Sequence, residues 1–384
     1  MADGTSSSAA GEGATSPFLA LPGAIADVNL GVARAYGNSF AEQRTLVAGN
    51  TVVDLSHRGI LRISGPDRLG WLDSLLSQKL DRLEPGISAE TLLLDPHGHV
   101  QHAMRVLDDG QATWLLIDEG FAPALATWLE RMRFMKQVEV EDVSSEYATL
   151  GFFGNTPESL CEVLVTAHGT SILWQDPWFD VVSGGWQYAS AQTPAHAWNY
   201  AEAVVPRSSL PAITELVSLG TLGVAGLDAL EALRIAAWRP RLATEGDDLL
   251  LPHETDWLRT AVHLNKGCYR GQETVAKVHN LGHPPRRLVF LSLDGVEDVL
   301  PTPGTVVSLG DKEIGRITSV ARHWAEGPIA LALIKRSVDV NAELSVASEG
   351  VVIPATQVII VPPEAGREVA LPKLPRLGAV ARDS

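Results

Sequence analysis

Only two cysteines, Cys161 and Cys268, occur in 384 residues. That scarcity excludes a disulfide framework and makes a reducing cytoplasm the expected compartment. It also leaves too few ligands for a structural zinc or an iron–sulfur cluster, each of which takes about four Cys or His side chains. No CxxC pair is present, and no resident metal is expected. No apolar run approaches the roughly 20 residues that span a bilayer, so no membrane partner is expected. Positive charge is in short supply: 30 Lys and Arg face 46 Asp and Glu, a net charge of -16. Phosphate backbones are gripped by positive faces, which argues against nucleic acid as a partner. Residues 1–17 are rich in Ser, Ala and Gly, without the basic start or apolar stretch of a signal peptide. A disordered leader is expected to residue 32, with ordered structure from about Ala33.

What remains is globular in composition, 45% hydrophobic and 20% charged, and long enough for two or three domains. Residues 51–63 alternate like a strand and lead into a helix start at Ser64-Gly65-Pro66-Asp67. Leu69, Leu72, Leu75, Leu76 and Leu80 then mark an apolar helical face. Asp108-Asp109-Gly110 between two apolar runs predicts a hairpin, followed by a helix over 122–132 and a strand over 138–143. A second α+β unit spans 148–285, with a helix expected over 157–166, strands through 172–182 and helices over 210–219 and 227–237. From residue 286 to 362, six short β-rich runs separated by turn residues predict a small barrel. Residues 363–384 read as a loose tail. The first α+β unit is placed at 33–147.

The segment Lys266, Gly267, Cys268, Tyr269, Arg270, Gly271, Gln272, Glu273 stands apart. Two glycines bracket a thiol and let a ligand approach the backbone closely. Lys266 and Arg270 flank Cys268 and would favour its thiolate, the reactive form. The plainer alternative is a tight turn around a packing cysteine. Cys161, in an amphipathic helical pattern, is expected to be inert. Lys277, His279, His283, Arg286 and Arg287 form a basic stretch after the motif. It reads as a linker into the barrel, or as a face for an anionic tail.

This octapeptide resembles the KGC(Y/F)xGQE signature of the YgfZ family, folate-binding-type proteins implicated in assembly or repair of iron–sulfur enzymes. Val53-Asp54-Leu55-Ser56-His57, Gly65-Pro66-Asp67 and Asp95-Pro96-His97-Gly98 are similar to the wider group of glycine-cleavage aminomethyltransferases. The resemblance covers residues 33–362. It implies an α+β, three-domain ring around a central channel with a C-terminal β barrel, tetrahydrofolate as ligand, and iron–sulfur client or assembly proteins as partners. By the same resemblance, Glu202 is the candidate for the pterin edge, because a carboxylate accepts paired N–H donors. Arg234 is the candidate for the glutamate tail. Trp174, Trp178 and Trp186 are candidates to stack on the pterin, with core packing as the alternative. Two departures stand out. The catalytic Asp of the aminomethyltransferases is absent, its place taken by the His102-Ala103 region. In Leu233-Arg234-Ile235-Ala236-Ala237-Trp238, Ala236 replaces a Glu and Trp238 a Gly. A tetrahydrofolate-dependent aminomethyl- or methyltransferase and a non-catalytic scaffold are therefore the competing functions.

Overall fold

The hairpin at Asp108-Asp109-Gly110 forms. Strands Val100–Asp108 and Ala112–Ile117 pair antiparallel, and Gly110 supplies the left-handed backbone of the turn at φ +94. The computed structural model describes residues 15–190, 192–295 and 299–369. In the first sheet the strand order is Ala89–Leu94, Val100–Asp108, Ala112–Ile117, Gly59–Ser64, Glu139–Asp142, all antiparallel. Helices Arg68–Leu75 and Ala122–Met132 cover one face, packing Leu72, Leu125 and Leu129 on Leu61, Ile63, Leu115 and Ile117.

The second sheet runs Leu173–Gln175, Tyr200–Pro206, Tyr147–Phe153, Thr51–Asp54, Gly223–Ala225. Its last pair is parallel. Thr51–Asp54, assigned from sequence to the first unit, thus belongs to the second sheet. The chain lays it down first, leaves to build the first sheet, and returns at Tyr147. Helix Ser39–Ala48, capped by the Asn38 side chain on the Ala41 N–H, sits against this sheet.

Six strands, Arg286–Leu293, Val306–Leu309, Lys312–His323, Gly327–Lys335, Leu344–Ser348 and Val351–Ile359, close the C-terminal barrel. Val289, Leu291, Val307, Ala330, Ala332 and Val346 fill its interior. The alternate residues Leu288, Phe290, Ile329, Leu331 and Leu333 join the main core instead, so these strands are apolar on both faces. Helix Leu227–Ala236 packs against this outer side.

Several expectations are corrected. The leader is folded where described: Phe18 is fully buried, the Ser16 hydroxyl donates to Asp54 at 2.5 Å, and Ile25–Asp27 pairs with Val32–Ala35. Residues 1–14 lie outside the described residues, as do 370–384 of the tail. Ala365 within the tail is buried. The helix expected over 157–166 is only Glu158–Cys161. Cys161 at its end is exposed, not packed. The strands expected through 172–182 reduce to Leu173–Gln175 followed by the short turn Pro177–Phe179, because Pro177 has no N–H for a ladder. Among the described residues no helix is long and apolar enough to cross a membrane.

Candidate functional site

A channel opens where the two sheets meet the segment that follows helix Leu227–Ala236. Its wall includes Arg105 from the first sheet, Tyr200 and Glu202 from the second, Arg234 from the end of that helix, and Arg239 and Arg241 from the segment after it. Glu202 is fully buried. Its Oε1 accepts from Arg58 Nη1 at 2.7 Å and from the Tyr200 hydroxyl at 3.0 Å, and it pairs ionically with Arg105 Nε at 3.1 Å. Its Oε2 has no hydrogen-bond partner among the described residues, and neither do Arg58 Nε, Arg239 Nη1 and Arg241 Nε. Buried polar atoms are almost always satisfied, so four orphans around one channel are unusual. Arg105 also forks onto Asp118 Oδ1 at 3.1 Å through both terminal nitrogens. Burial would raise the Asp118 carboxyl, but Arg105, Arg58 and Arg241 more than offset it and hold it well below the usual carboxylate range. An acid held ionised this firmly makes a poor proton shuttle. With the arginines inside, the channel has a volume of about 40 Å³, room for a few waters.

Arg234 lies on the channel wall with its nitrogens engaged. They donate to Glu231, Glu245 at 3.0 Å, the Arg239 carbonyl and Ser319 Oγ at 2.5 Å. It clamps the helix to the barrel and has no donor left for a glutamate tail.

The motif segment lies on the surface beside the first domain. Cys268 is exposed. Lys266 turns away from it: its ammonium is buried and donates to the carbonyls of Asp73, Leu76 and Gln78 at 2.5, 2.8 and 2.7 Å, with Asp73 Oδ1 at 3.2 Å. These groups are the otherwise unpaired C-terminal carbonyls of helix Arg68–Leu75 and its continuation. Burial pulls the Lys266 ammonium down, and Asp73 opposes that shift. With every donor engaged, Lys266 caps that helix and has no donor left over for the thiol. Its charge also lies 5.4 Å over the buried Tyr269 ring. Arg270 lies 5.7 Å over Trp128 of the first domain. Gly271 caps helix Gln272–Leu281 at φ +82, a conformation that L side chains rarely adopt. Gly267 is different: its φ is ordinary and a Cβ there would meet nothing within 4 Å. Gln272 reaches the Lys266 carbonyl at 3.4 Å, and Glu273 is exposed in the first turn of the helix.

Family profiles match in two stretches: the GCVT N-terminal domain over residues 33–266 and the glycine cleavage T-protein C-terminal barrel domain over 286–361. The chain belongs to the glycine-cleavage T-protein family. It is 28% identical to an aminomethyltransferase of Moorella thermoacetica, covering 77% of this chain and 82% of that one. It is 23% identical to a chloroplastic protein of Arabidopsis thaliana named as a transferase, covering 80% of this chain and 70% of that one. The fold is similar to the crystal structure of the glycine cleavage system aminomethyltransferase T from Bartonella henselae. That likeness has a TM-score of 0.65 at 18% identity and covers 86% and 90% of the two chains.

Other site residues of this T-protein-family chain fall away from the channel. Of the pair His102-Ala103, Ala103 stands on the wall and His102 does not. His102 packs edge-on to Phe121 at 5.8 Å, and burial lowers its pKa to about 4. Trp238 holds a left-handed backbone, φ 58, and its ring lies 6.5 Å from that of Phe290. Trp174 and Trp178 are core residues: arginines face the rings, Arg105 at 5.7 Å on Trp174 and Arg259 at 4.6 Å on Trp178. Trp186 is half-exposed against His279. The basic stretch is not a patch. His279 meets the Tyr188 hydroxyl, His283 the Ala365 carbonyl, Arg286 pairs with Glu254 and Asp247, and Arg287 is fully buried. Sequence reasoning missed Arg58, Arg105, Asp118, Arg239 and Arg241. Only Arg105, a lone cation inside an apolar strand, carried a signal.

Proposed function

We propose that this protein is a tetrahydrofolate-binding accessory factor for the assembly or repair of iron–sulfur proteins in the cytoplasm, with Cys268 as its working group. Within the T-protein family, the run Lys266-Gly267-Cys268-Tyr269-Arg270-Gly271-Gln272-Glu273 supports the YgfZ branch. The observation that carries folate binding is the unpartnered Glu202 Oε2 in the channel wall. It offers an acceptor for the N–H edge of a pterin. The chemistry of the wall fits; a volume of about 40 Å³ is smaller than a pterin, so the wall must open as the ring enters. Folate, when bound, supplies a one-carbon carrier. The chain's own part is to accept at Glu202 and to keep water out of the arginine-lined wall. For the thiol, support comes from exposure and from the open space at Gly267, which nothing in the fold demands.

The family match and the Moorella relative favour a second reading, a folate-dependent aminomethyl- or methyltransferase. Ala103 on the wall speaks against it, since transfer of an amine to folate needs a group that positions the amine and manages its charge. Two measurements decide. Tetrahydrofolate should quench Trp fluorescence on titration, and absence of any binding would leave only a scaffold. Incubation with aminomethylated carrier protein and tetrahydrofolate should yield no methylenetetrahydrofolate; turnover above the uncatalysed rate would promote the transferase. In cells, Cys268→Ser should lower iron–sulfur enzyme activity at unchanged abundance of this protein. Normal activity in that strain would remove the thiol from the function.

A further inference from the structure

We propose that Arg239 reads the pterin ring of a bound folate, admitting a ring with oxygen at position 4 and rejecting its 4-amino analogue. This rests on the folate reading above and narrows the ligand class of the same channel. Arg239 is buried, and two buried carboxylates hold it: Nε donates to Asp176 Oδ2 at 2.9 Å and Nη2 to Glu90 Oε1 at 2.7 Å. Those acids are fixed in turn. Asp176 Oδ2 also accepts from Trp198 Nε1 at 2.7 Å, and Glu90 accepts from Trp257 Nε1 at 2.9 Å and from the Thr260 hydroxyl at 2.5 Å. The guanidinium lies 5.1 Å over the Trp178 ring. Held through two nitrogens and one face, it is set in place before a ligand arrives. Only Nη1 is left over: it is buried, has no hydrogen-bond partner among the described residues, and belongs to a side chain on the same channel wall as Glu202. Arg58 and Arg241 also keep an unpaired Nε. Arg58, however, is committed to Glu202 itself, with Asp118 Oδ1 3.9 Å from that Nε. Arg241 hydrogen-bonds through its guanidinium to Glu119 alone among the described residues, at 3.2 Å, and is less firmly held.

The channel thus offers an unpaired acceptor, Glu202 Oε2, and a fixed donor, Arg239 Nη1. A pterin answers both, since its ring N–H and 2-amino group donate and its 4-oxo group accepts. In a 2,4-diaminopteridine the group at position 4 donates instead. The buried N–H of Arg239 would then face another N–H with no acceptor between them. A site that hydrogen-bonds one ligand group rejects the analogue lacking it strongly, because the protein's own buried group is left unpaired. Glu202 gives no such discrimination, for a carboxylate accepts from the amino groups of either ring. The choice falls to Arg239.

The test is calorimetric titration of the full chain with tetrahydrofolate and with tetrahydroaminopterin, which differ only in carrying oxygen or an amino group at position 4. It is run above neutral pH, so that a proton on the diamino ring does not add an ion pair to Glu202. Tetrahydrofolate should bind at least about tenfold more tightly. In Arg239→Met the ratio of the two affinities should fall to about one or invert, since only Glu202 is left to read the ring. The ratio is taken within one preparation, so a loss of folded protein does not move it. The wild-type comparison needs no variant and stands even if Arg239→Met fails to fold. Equal affinities in wild type, a preference for tetrahydroaminopterin, or a preference that survives in Arg239→Met would each overturn the role of Arg239 and leave folate binding standing. Binding of neither ligand would remove the folate reading, and this inference with it.

Discussion

Gly98 and Gly271 lie against each other. A Cβ on Gly271 would stand 3.1 Å from the Gly98 Cα and 2.6 Å from the Asp95 carbonyl oxygen, and one on Gly98 would stand 2.9 Å from the Thr274 Cβ. The first domain's turn thereby fixes the start of the motif helix. Gly271→Ala should cost about 2 kcal/mol or more, from the left-handed backbone and the clash together. Gly267→Ala should leave stability unchanged. Urea unfolding of both variants checks this, and equal losses would refute the packing account.

Lys266→Met should destabilise the protein by about 3–5 kcal/mol, because three buried carbonyls lose their common donor. The alkylation rate of Cys268, followed by peptide mass mapping in the fraction that stays folded, should not change. A slower thiol would restore Lys266 as its activator. Cys161, exposed in the structure, should label as well.

Glu202→Ala should cost about 3–5 kcal/mol by removing the buried carboxylate closest to Arg58, the usual result of removing one partner from a buried pair. Glu202→Gln should cost less, since an amide oxygen still accepts. Calorimetric melting of the two variants gives the order directly; an Ala variant as stable as wild type would mean that the arginines find water.

Acid should weaken the fold through its buried histidines. Burial lowers His57 and His253 from 6.5 to about 3 and His102 to about 4. Each stays neutral when folded but takes a proton when unfolded. Their stabilisation is complete above pH 6.5 and is lost as pH falls towards the folded values. At pH 5 the loss is about 2 kcal/mol for a group shifted to about 3. Asp256, raised to about 7 by burial, works the other way over the same range, as do Asp54 and Asp176, which burial also raises, so the net slope is shallower than the histidines alone would give. His253→Gln should flatten the fall in melting temperature between pH 7 and pH 5. An unchanged slope would assign the acid sensitivity elsewhere.

The barrel was legible because its strands are short, apolar and punctuated by turn residues. Residues 122–132 were legible because a helix of that length repeats its apolar face. The octapeptide stood out because its composition departs from everything around it. The direction of the Lys266 side chain was not legible, since spacing places it beside Cys268 and only tertiary structure shows it capping another helix. Buried arginines read like surface ones: nothing local separates Arg239 or Arg241 from a solvated cation. The membership of Thr51–Asp54 in the second sheet rests on pairing with Tyr147–Phe153, nearly a hundred residues away, which no local pattern encodes.

Helix Ser39–Ala48 reaches the barrel through Gln43, whose amide donates to the Arg322 carbonyl and accepts from the Trp324 N–H, both at 2.9 Å. Residues at opposite ends of the chain are thereby tied, and the outer faces of two barrel strands are sealed into the main core. Chimeras that exchange the barrel among relatives at residue 286 should therefore aggregate unless position 43 and the helix Leu227–Ala236 travel with it, for the recombination unit is the whole chain.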